Sequence, residues 1–91
     1  MLAYATLGTR DLAKAAAFYD AVLAPLAAKR FMEEPDYFIA WGNSETGAGL
    51  GITYPFDKQA ATVGNGCMVA LGANSREQVD AVYAKAIELG G

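Results

Sequence analysis

Apolar and polar positions along the chain follow two different periods, and the changes of period predict seven elements. Apolar residues alternate with polar or smaller ones over residues 2–8, as they do in a half-buried strand. From Asp11 the apolar spacing becomes three to four residues, which predicts a helix that ends before Pro25. Further strands are predicted at residues 29–32, 37–42, 49–54 and 67–72, and a second helix follows Ser75.

The opening of the chain recurs later in the sequence. Residues 2–23 align without a gap with residues 66–87, at an offset of 64 positions. Asp11 aligns with Ser75, and both residue types are favourable helix N-caps. The identical pairs are Leu7 with Leu71, Gly8 with Gly72, Ala17 with Ala81, and Tyr19 with Tyr83. Strand, cap and helix agree in phase, so we interpret the pattern as a duplicated strand–helix unit.

The order of elements predicts an α+β fold in a single domain. A first βαβββ module covers residues 1–55, a linker covers residues 56–66, and the βα start of a second module covers residues 67–91. If the unit is duplicated, we expect the last three strands of that second module to be absent, with a shortened sequence, a missing tail or completion of the sheet by another chain as the open alternatives. A ferredoxin-like domain is the competing fold, but it needs βαββαβ order, which the extra strand disfavours. Open sheet edges favour a homodimer, with exchange of modules as one way to form it.

Composition excludes several classes of function. The 91 residues carry a net charge of −3 and no basic patch, which argues against nucleic acid as a partner. The longest apolar run is too short to span a membrane. The single cysteine, Cys67, and the lack of room for a signal peptide before the first strand predict a cytoplasmic protein. Because the chain contains no histidine, the commonest transition-metal ligand and general base are both missing.

One face of the predicted sheet is a candidate ligand-binding surface. Glycines inside a strand mark either a bulge or a close approach by another group. We interpret Gly49 and Gly51 as leaving room above the sheet, with a bulge as the open alternative. Trp41 or Phe38 would form an aromatic wall, although a core role for Trp41 is equally compatible with the pattern. The candidate residues are Tyr4, Thr6, Phe38, Trp41, Gly49, Gly51, Thr53 and Met68. The alternative is that this face of the sheet contacts only solvent or another protein and binds no small molecule.

Two charged or polar stretches are interpreted as turns. Residues 33–36 pair two glutamates with a proline and an aspartate, and we expect solvated charges there rather than a cation site. Residues 43–47 are polar and predict a second turn.

The chain resembles the vicinal oxygen chelate superfamily, which includes glyoxalase I, bleomycin-resistance proteins and extradiol dioxygenases. The likeness rests on residues 5–12 (ATLGTRDL), the pair Phe18-Tyr19, residues 49–54 and residues 68–71. It implies βαβββ modules whose sheets together form a cup. In metal-dependent members, it further implies a divalent ion held by four side chains in that cup.

This sequence departs from the metal-binding pattern that the resemblance implies. Tyr4 and Met68 stand where that pattern has histidines, and Gly51 stands where it has a glutamate; the fourth position lies in a last strand, beyond Gly91. Phenol is a rare ligand, glycine has no side chain, and a thioether is a soft donor. We therefore expect no metal, no cofactor and no catalytic residue, and predict binding of a small hydrophobic or aromatic molecule. The alternative is a glyoxalase- or dioxygenase-like lyase or oxidoreductase, or a metal-free lyase or isomerase with Tyr4 as acid–base.

Overall fold

In the computed structural model, which describes residues 1–44 and 47–91, one four-stranded sheet and two α-helices make up the fold. The elements in chain order are β1 (Tyr4–Gly8), α1 (Leu12–Leu23), a 3₁₀ turn (Ala24–Leu26), β2 (Lys29–Glu34), β3 (Phe38–Gly42), β4 (Gly49–Thr53) and α2 (Arg76–Glu88). The predicted α+β class and the βαβββ order of the first module are confirmed. Neither of the two helices described is long and apolar enough to cross a membrane. The predicted turn at residues 43–47 includes positions 45 and 46, which lie outside the described residues.

The sheet is mixed, with strand order β1-β4-β3-β2. β1 pairs with β4 in parallel, and the other two pairings are antiparallel. The register places Gly51 beside Thr6 of β1 on one side and beside Ala40 of β3 on the other. β1 and β2 are therefore the two edges of the described sheet, and β3 and β4 form its centre.

The core lies between α1 and one face of the sheet. The Asp11 carboxylate begins the helix by accepting a hydrogen bond from the backbone N–H of Lys14 at 3.0 Å, an N-cap that stabilises by about 1 kcal/mol. Pro25 lies at the start of the 3₁₀ turn that follows the helix, a position that its fixed φ and missing N–H allow. The buried cluster consists of Leu12, Ala16, Leu23, Leu26, Ile39, Trp41, Leu50 and Ile52. The apolar stripe predicted for α1 is thus confirmed.

A hydrogen-bonded cluster of polar groups joins α1 to β2 and β3. Arg30 donates from Nε and Nη2 to the two carboxylate oxygens of Asp20, at 2.9 and 2.6 Å. The buried indole N–H of Trp41 donates to the same carboxylate at 2.7 Å. Hydrogen bonds from Arg30, and then from Trp41, outweigh the effect of burial and hold the pKa of Asp20 below its ordinary value. The ion pair is a third or more exposed on both sides, so we expect it to contribute about 1 kcal/mol or less.

The second module differs from its prediction in one element. Residues 67–72, predicted as a strand, form no regular secondary structure. In the first module the equivalent strand, β1, obtains its hydrogen-bond ladder from β4. No strand within residues 1–44 or 47–91 plays that part for residues 67–72, so alternation alone does not produce a strand there. The prediction failed because a strand requires a partner as well as a pattern.

The second helix forms as predicted, but several of its apolar side chains, namely Val79, Tyr83 and Ile87, are exposed. Ser75 Oγ accepts a hydrogen bond from the N–H of Gln78 at 3.2 Å, which confirms the predicted cap. The Gln78 amide also donates to Pro25 O at 3.4 Å, so α2 rests against the 3₁₀ turn. Tyr83 and Ile87 are nevertheless 69% and 53% exposed. By contrast, Leu23, which aligns with Ile87 in the repeat, is only 2% exposed.

Candidate ligand-binding face

The face of the sheet opposite α1, called here the helix-free face, carries most of the predicted site. Alternation along β1 and β4 puts Tyr4 beside Gly49 and Thr6 beside Gly51. Phe38 of β3 lies in register with Thr53 on the same face. The structure thus brings together six of the eight predicted residues, namely Tyr4, Thr6, Phe38, Gly49, Gly51 and Thr53.

Aromatic rings occupy the space above the two glycines of β4. A Cβ atom at Gly51 would lie 2.8 Å from Cε2 of Phe38, and one at Gly49 would lie 2.6 Å from Cε1 of Phe31. Such distances are too short for any real side chain. The pairing of β4 with β1 runs through both positions in unbroken register. The glycines therefore mark a close approach by aromatic side chains and not a bulge, and the room that we expected them to leave above the sheet is filled by those rings.

Phe31 is the residue of this face that the sequence pattern did not identify. The register between β2 and β3 shifts between Arg30 and Met32, so Phe31 lies in a β-bulge. Bulges redirect side chains, and here the ring of Phe31 lies above Gly42 as well as Gly49. The ring is 51% exposed, and so it presents an apolar surface to solvent. The sequence signal for Phe31 was the pair Gly42 and Gly49, which lie on neighbouring strands and leave space for its ring.

Tyr4 and Phe38 extend this aromatic layer toward β1. Their ring centroids lie 5.6 Å apart with the ring planes tilted by 53°, a favourable geometry for aromatic pairs. Tyr4 is 42% exposed and Phe38 is buried. The hydroxyl of Thr53 donates to the backbone carbonyls of Tyr37 and Tyr54, at 3.0 and 2.9 Å, which lie just before β3 and just after β4. Within residues 1–44 and 47–91, the hydroxyls of Tyr4 and Thr6 make no hydrogen bond, so both are free to pair with a polar ligand atom.

Two predicted residues lie elsewhere. Trp41 faces α1, is 1% exposed and has its ring centroid 5.8 Å from that of Tyr19. Phe38 and Trp41 are three positions apart on one strand, so alternation puts them on opposite faces and only one of them can line a given surface. The hypothesis that Trp41 forms a wall of the site is therefore wrong, and its core alternative is correct. Met68 is 85% exposed in residues 67–72, outside the sheet.

The side chains on the helix-free face do not fit a divalent metal ion. Tyr4 offers a phenol, and the place of a carboxylate at Gly51 is taken by the ring of Phe38. Within the described parts of the chain, no group of three or more histidine, cysteine, aspartate or glutamate residues is placed to hold an ion. Hard and borderline divalent ions need oxygen or nitrogen donors in such groups. The chemistry that this face offers is apolar contact, ring stacking and two hydroxyl groups.

Comparison with solved structures finds this fold in a known protein. The chain is similar to the crystal structure of a glyoxalase/bleomycin resistance protein from Albidiferax ferrireducens T118, with a TM-score of 0.85 and 32% sequence identity. The match covers 99% of this chain and 72% of that protein's chain. A scan against protein-family models and a search of curated proteins found no match.

Proposed function

Since this chain belongs to the glyoxalase/bleomycin resistance family of the vicinal oxygen chelate superfamily, we propose that it binds a small hydrophobic or aromatic molecule on its helix-free face, without a metal ion. The observation that carries the proposal is the aromatic layer of Tyr4, Phe31 and Phe38, which lies directly on a floor of glycines. Ligand sites are mostly apolar with a few well-placed polar groups, and this face has that composition.

The partly exposed rings supply the binding contacts. Phe31 and Tyr4 are each about half exposed, so a flat ligand can cover them without moving the buried ring of Phe38. Stacking of one aromatic pair contributes about 0.5–1.5 kcal/mol beyond the apolar area that it buries. The free hydroxyls of Tyr4 and Thr6 would fix the orientation of the ligand through one or two hydrogen bonds.

The enzymatic alternative makes a different demand on this face. A lyase or oxidoreductase of the glyoxalase or dioxygenase kind needs a Lewis acid to polarise substrate oxygens. The donor set around Tyr4 and Gly51 does not provide for one. Elemental analysis of the purified protein tests this point directly, because a stoichiometric transition metal would contradict the metal-free proposal.

Calorimetric titration with small neutral aromatics, beginning with naphthol and indole, tests the binding proposal. Phe31→Leu removes a half-exposed ring from the face and should weaken binding about threefold to tenfold, as the loss of one stacking contact predicts. Tyr83→Leu is the matched control, because Tyr83 is an exposed ring on α2 and should not affect binding. Equal weakening in both variants, or no binding heat with any compound, would contradict the proposal.

A further inference from the structure

A cavity lies at the end of the sheet where β1 and β4 finish and β3 begins. It has a volume of about 620 Å³ and is lined by residues of three segments, 9–10, 36–37 and 54–61. None of these residues belongs to the aromatic layer or the glycine floor of the helix-free face. The volume is within the range of small-molecule sites. The cavity is therefore a place for a ligand that is separate from the candidate face.

Three aromatic residues line the cavity, and hydrogen bonds hold two of them in place. The hydroxyl of Tyr54 accepts a hydrogen bond from the N–H of Leu12 at 3.1 Å, which ties the tyrosine ring to the start of α1. The N–H of Tyr54 donates to the carbonyl of Tyr37 at 2.9 Å. Phe56 is fully exposed and Tyr37 is more than half exposed, so both rings still have apolar area to bury. A wall that is fixed before binding loses little conformational freedom when a ligand arrives.

The guanidinium of Arg10 is fixed beside the cavity by one hydrogen bond. Its Nε donates to the carbonyl of Ala61 at 2.7 Å, which joins the end of β1 to the linker. Its two terminal NH₂ groups make no hydrogen bond or ion pair within residues 1–44 and 47–91. Two such groups side by side match the two oxygens of a carboxylate. Arg10 thus offers an oriented pair of donors that no protein group uses in the described parts of the chain.

The charges that line the cavity favour an anion. Lys58 is the second cation there, and it too makes no ion pair with any residue that the structure describes. Its N–H donates to the carbonyl of Pro55 at 3.0 Å, so the turn that presents Lys58 is closed. Asp36 is the one acidic residue among the described residues that line the cavity. Two cations against one carboxylate leave a positive lining, which suits a ligand with a single negative charge.

We propose that this cavity binds a small aromatic carboxylate. The carboxylate pairs with the terminal NH₂ groups of Arg10, and Lys58 adds a second positive charge. The ring of the ligand lies against the aromatic residues of the wall. The negative charge distinguishes this ligand from the neutral aromatic molecule proposed for the helix-free face. The inference does not rest on that proposal, because the two sites have no residue in common.

Calorimetric titration of the full chain with 2-naphthoate tests the proposal through variants of opposite expected effect. Arg10→Gln removes the paired guanidinium and should weaken binding about tenfold, as the loss of a hydrogen bond between charged groups predicts. Asp36→Asn removes the like charge at nearly constant size and should strengthen binding about twofold to threefold. Arg76→Gln is the matched control, because it removes an exposed cation from α2 and should change the affinity less than about twofold.

Lys58→Asn is a second test that leaves the hydrogen bond between Arg10 and the linker intact. The φ of Lys58 is 64°, a left-handed conformation that asparagine adopts readily, so the turn should be preserved. This variant should weaken naphthoate binding about threefold, as the loss of one exposed charge predicts. Circular dichroism reports whether each variant keeps the fold.

Three results would overturn the proposal. They are the absence of any binding heat with 2-naphthoate, unchanged affinity in both Arg10→Gln and Lys58→Asn, and equal weakening in the control Arg76→Gln. Weakening in Phe31→Leu but not in Arg10→Gln would also overturn it, since the anion would then lie on the helix-free face. That last result would leave the proposed function of the helix-free face standing, so failure of one proposal is distinguishable from failure of the other.

Discussion

Substitution of Gly51 by alanine should destabilise the chain, although alanine normally improves a strand. The added Cβ would lie 2.8 Å from Cε2 of Phe38 and 3.2 Å from both Cζ of Phe38 and the methyl of Thr6. Phe38 is buried, so its ring has little space to withdraw. Overpacking of this kind costs about 1–3 kcal/mol. That cost exceeds the roughly 0.5–1 kcal/mol that alanine gains over glycine within a strand.

A double-mutant cycle with Phe38→Leu isolates the collision. With the ring removed, Gly51→Ala should become neutral or slightly stabilising, which gives a coupling energy of about 1–3 kcal/mol. Urea unfolding followed by circular dichroism provides the free energies, and Gly72→Ala is the control because no atom lies within 4 Å of its Cβ position. If Gly51→Ala were equally destabilising with and without Phe38, the ring would not lie over the glycine and the description of the site would be refuted.

Three further predictions concern the helices and the polar cluster. Leu23→Ala should cost about 2–5 kcal/mol in urea unfolding, while Ile87→Ala, at the equivalent but exposed position, should cost less than about 1 kcal/mol; equal losses would contradict the difference in burial. Ser75→Ala should lower stability or α2 helicity by about 1 kcal/mol in circular dichroism, unless its cap is not formed in solution. The folded-state pKa of Asp20 is lowered, so its stabilising effect is complete above the unfolded pKa of about 3.9 and is lost as the pH falls through the folded value. Urea titrations should therefore show Asp20→Asn to be less stable than the wild type by up to about 1 kcal/mol at neutral pH, a difference that should shrink below about pH 4 and whose persistence would refute the assignment.

The sequence was sufficient to predict the first helix and the faces of β1 and β4 because the signals for them are local. The cap at Asp11, the stop at Pro25 and the apolar stripe of α1 each depend on residues a few positions apart. The alternation of β1 and β4 placed Tyr4, Thr6 and Gly51 on one face without knowledge of the strand order. Period and capping act within a single element, so they can be inferred from a single chain.

The remaining features depend on contacts between elements. The bulge that turns Phe31 over Gly49 arises in the pairing of β2 with β3, which no local pattern encodes. The hydrogen bonds of Asp20 to Arg30 and Trp41 join three elements. The assignment of Trp41 to the site was avoidable, because Trp41 and Phe38 are three positions apart on one strand. Alternation along the strand already places them on opposite faces.

The missing strand at residues 67–72 shows the limit of a repeat as evidence. Residues 67–72 alternate in the same phase as β1, so their sequence is compatible with a strand. A hydrogen-bond ladder also needs a neighbouring strand, the counterpart of β4. The same reasoning explains the exposed side chains of Tyr83 and Ile87, which in the first module would pack against a sheet.

The most direct test of the account is an amide NMR titration of the ¹⁵N-labelled chain with naphthol. Gly42, Gly49 and Gly51 lie under or beside the aromatic layer and should shift together with a single saturating dissociation constant. The amides of Gly66 and Gly90, and the indole N–H of Trp41 on the opposite face, should remain unchanged. Shifts confined to Gly66, Gly90 or Trp41, or no shift at any of these signals, would contradict the claim that the helix-free face binds the ligand.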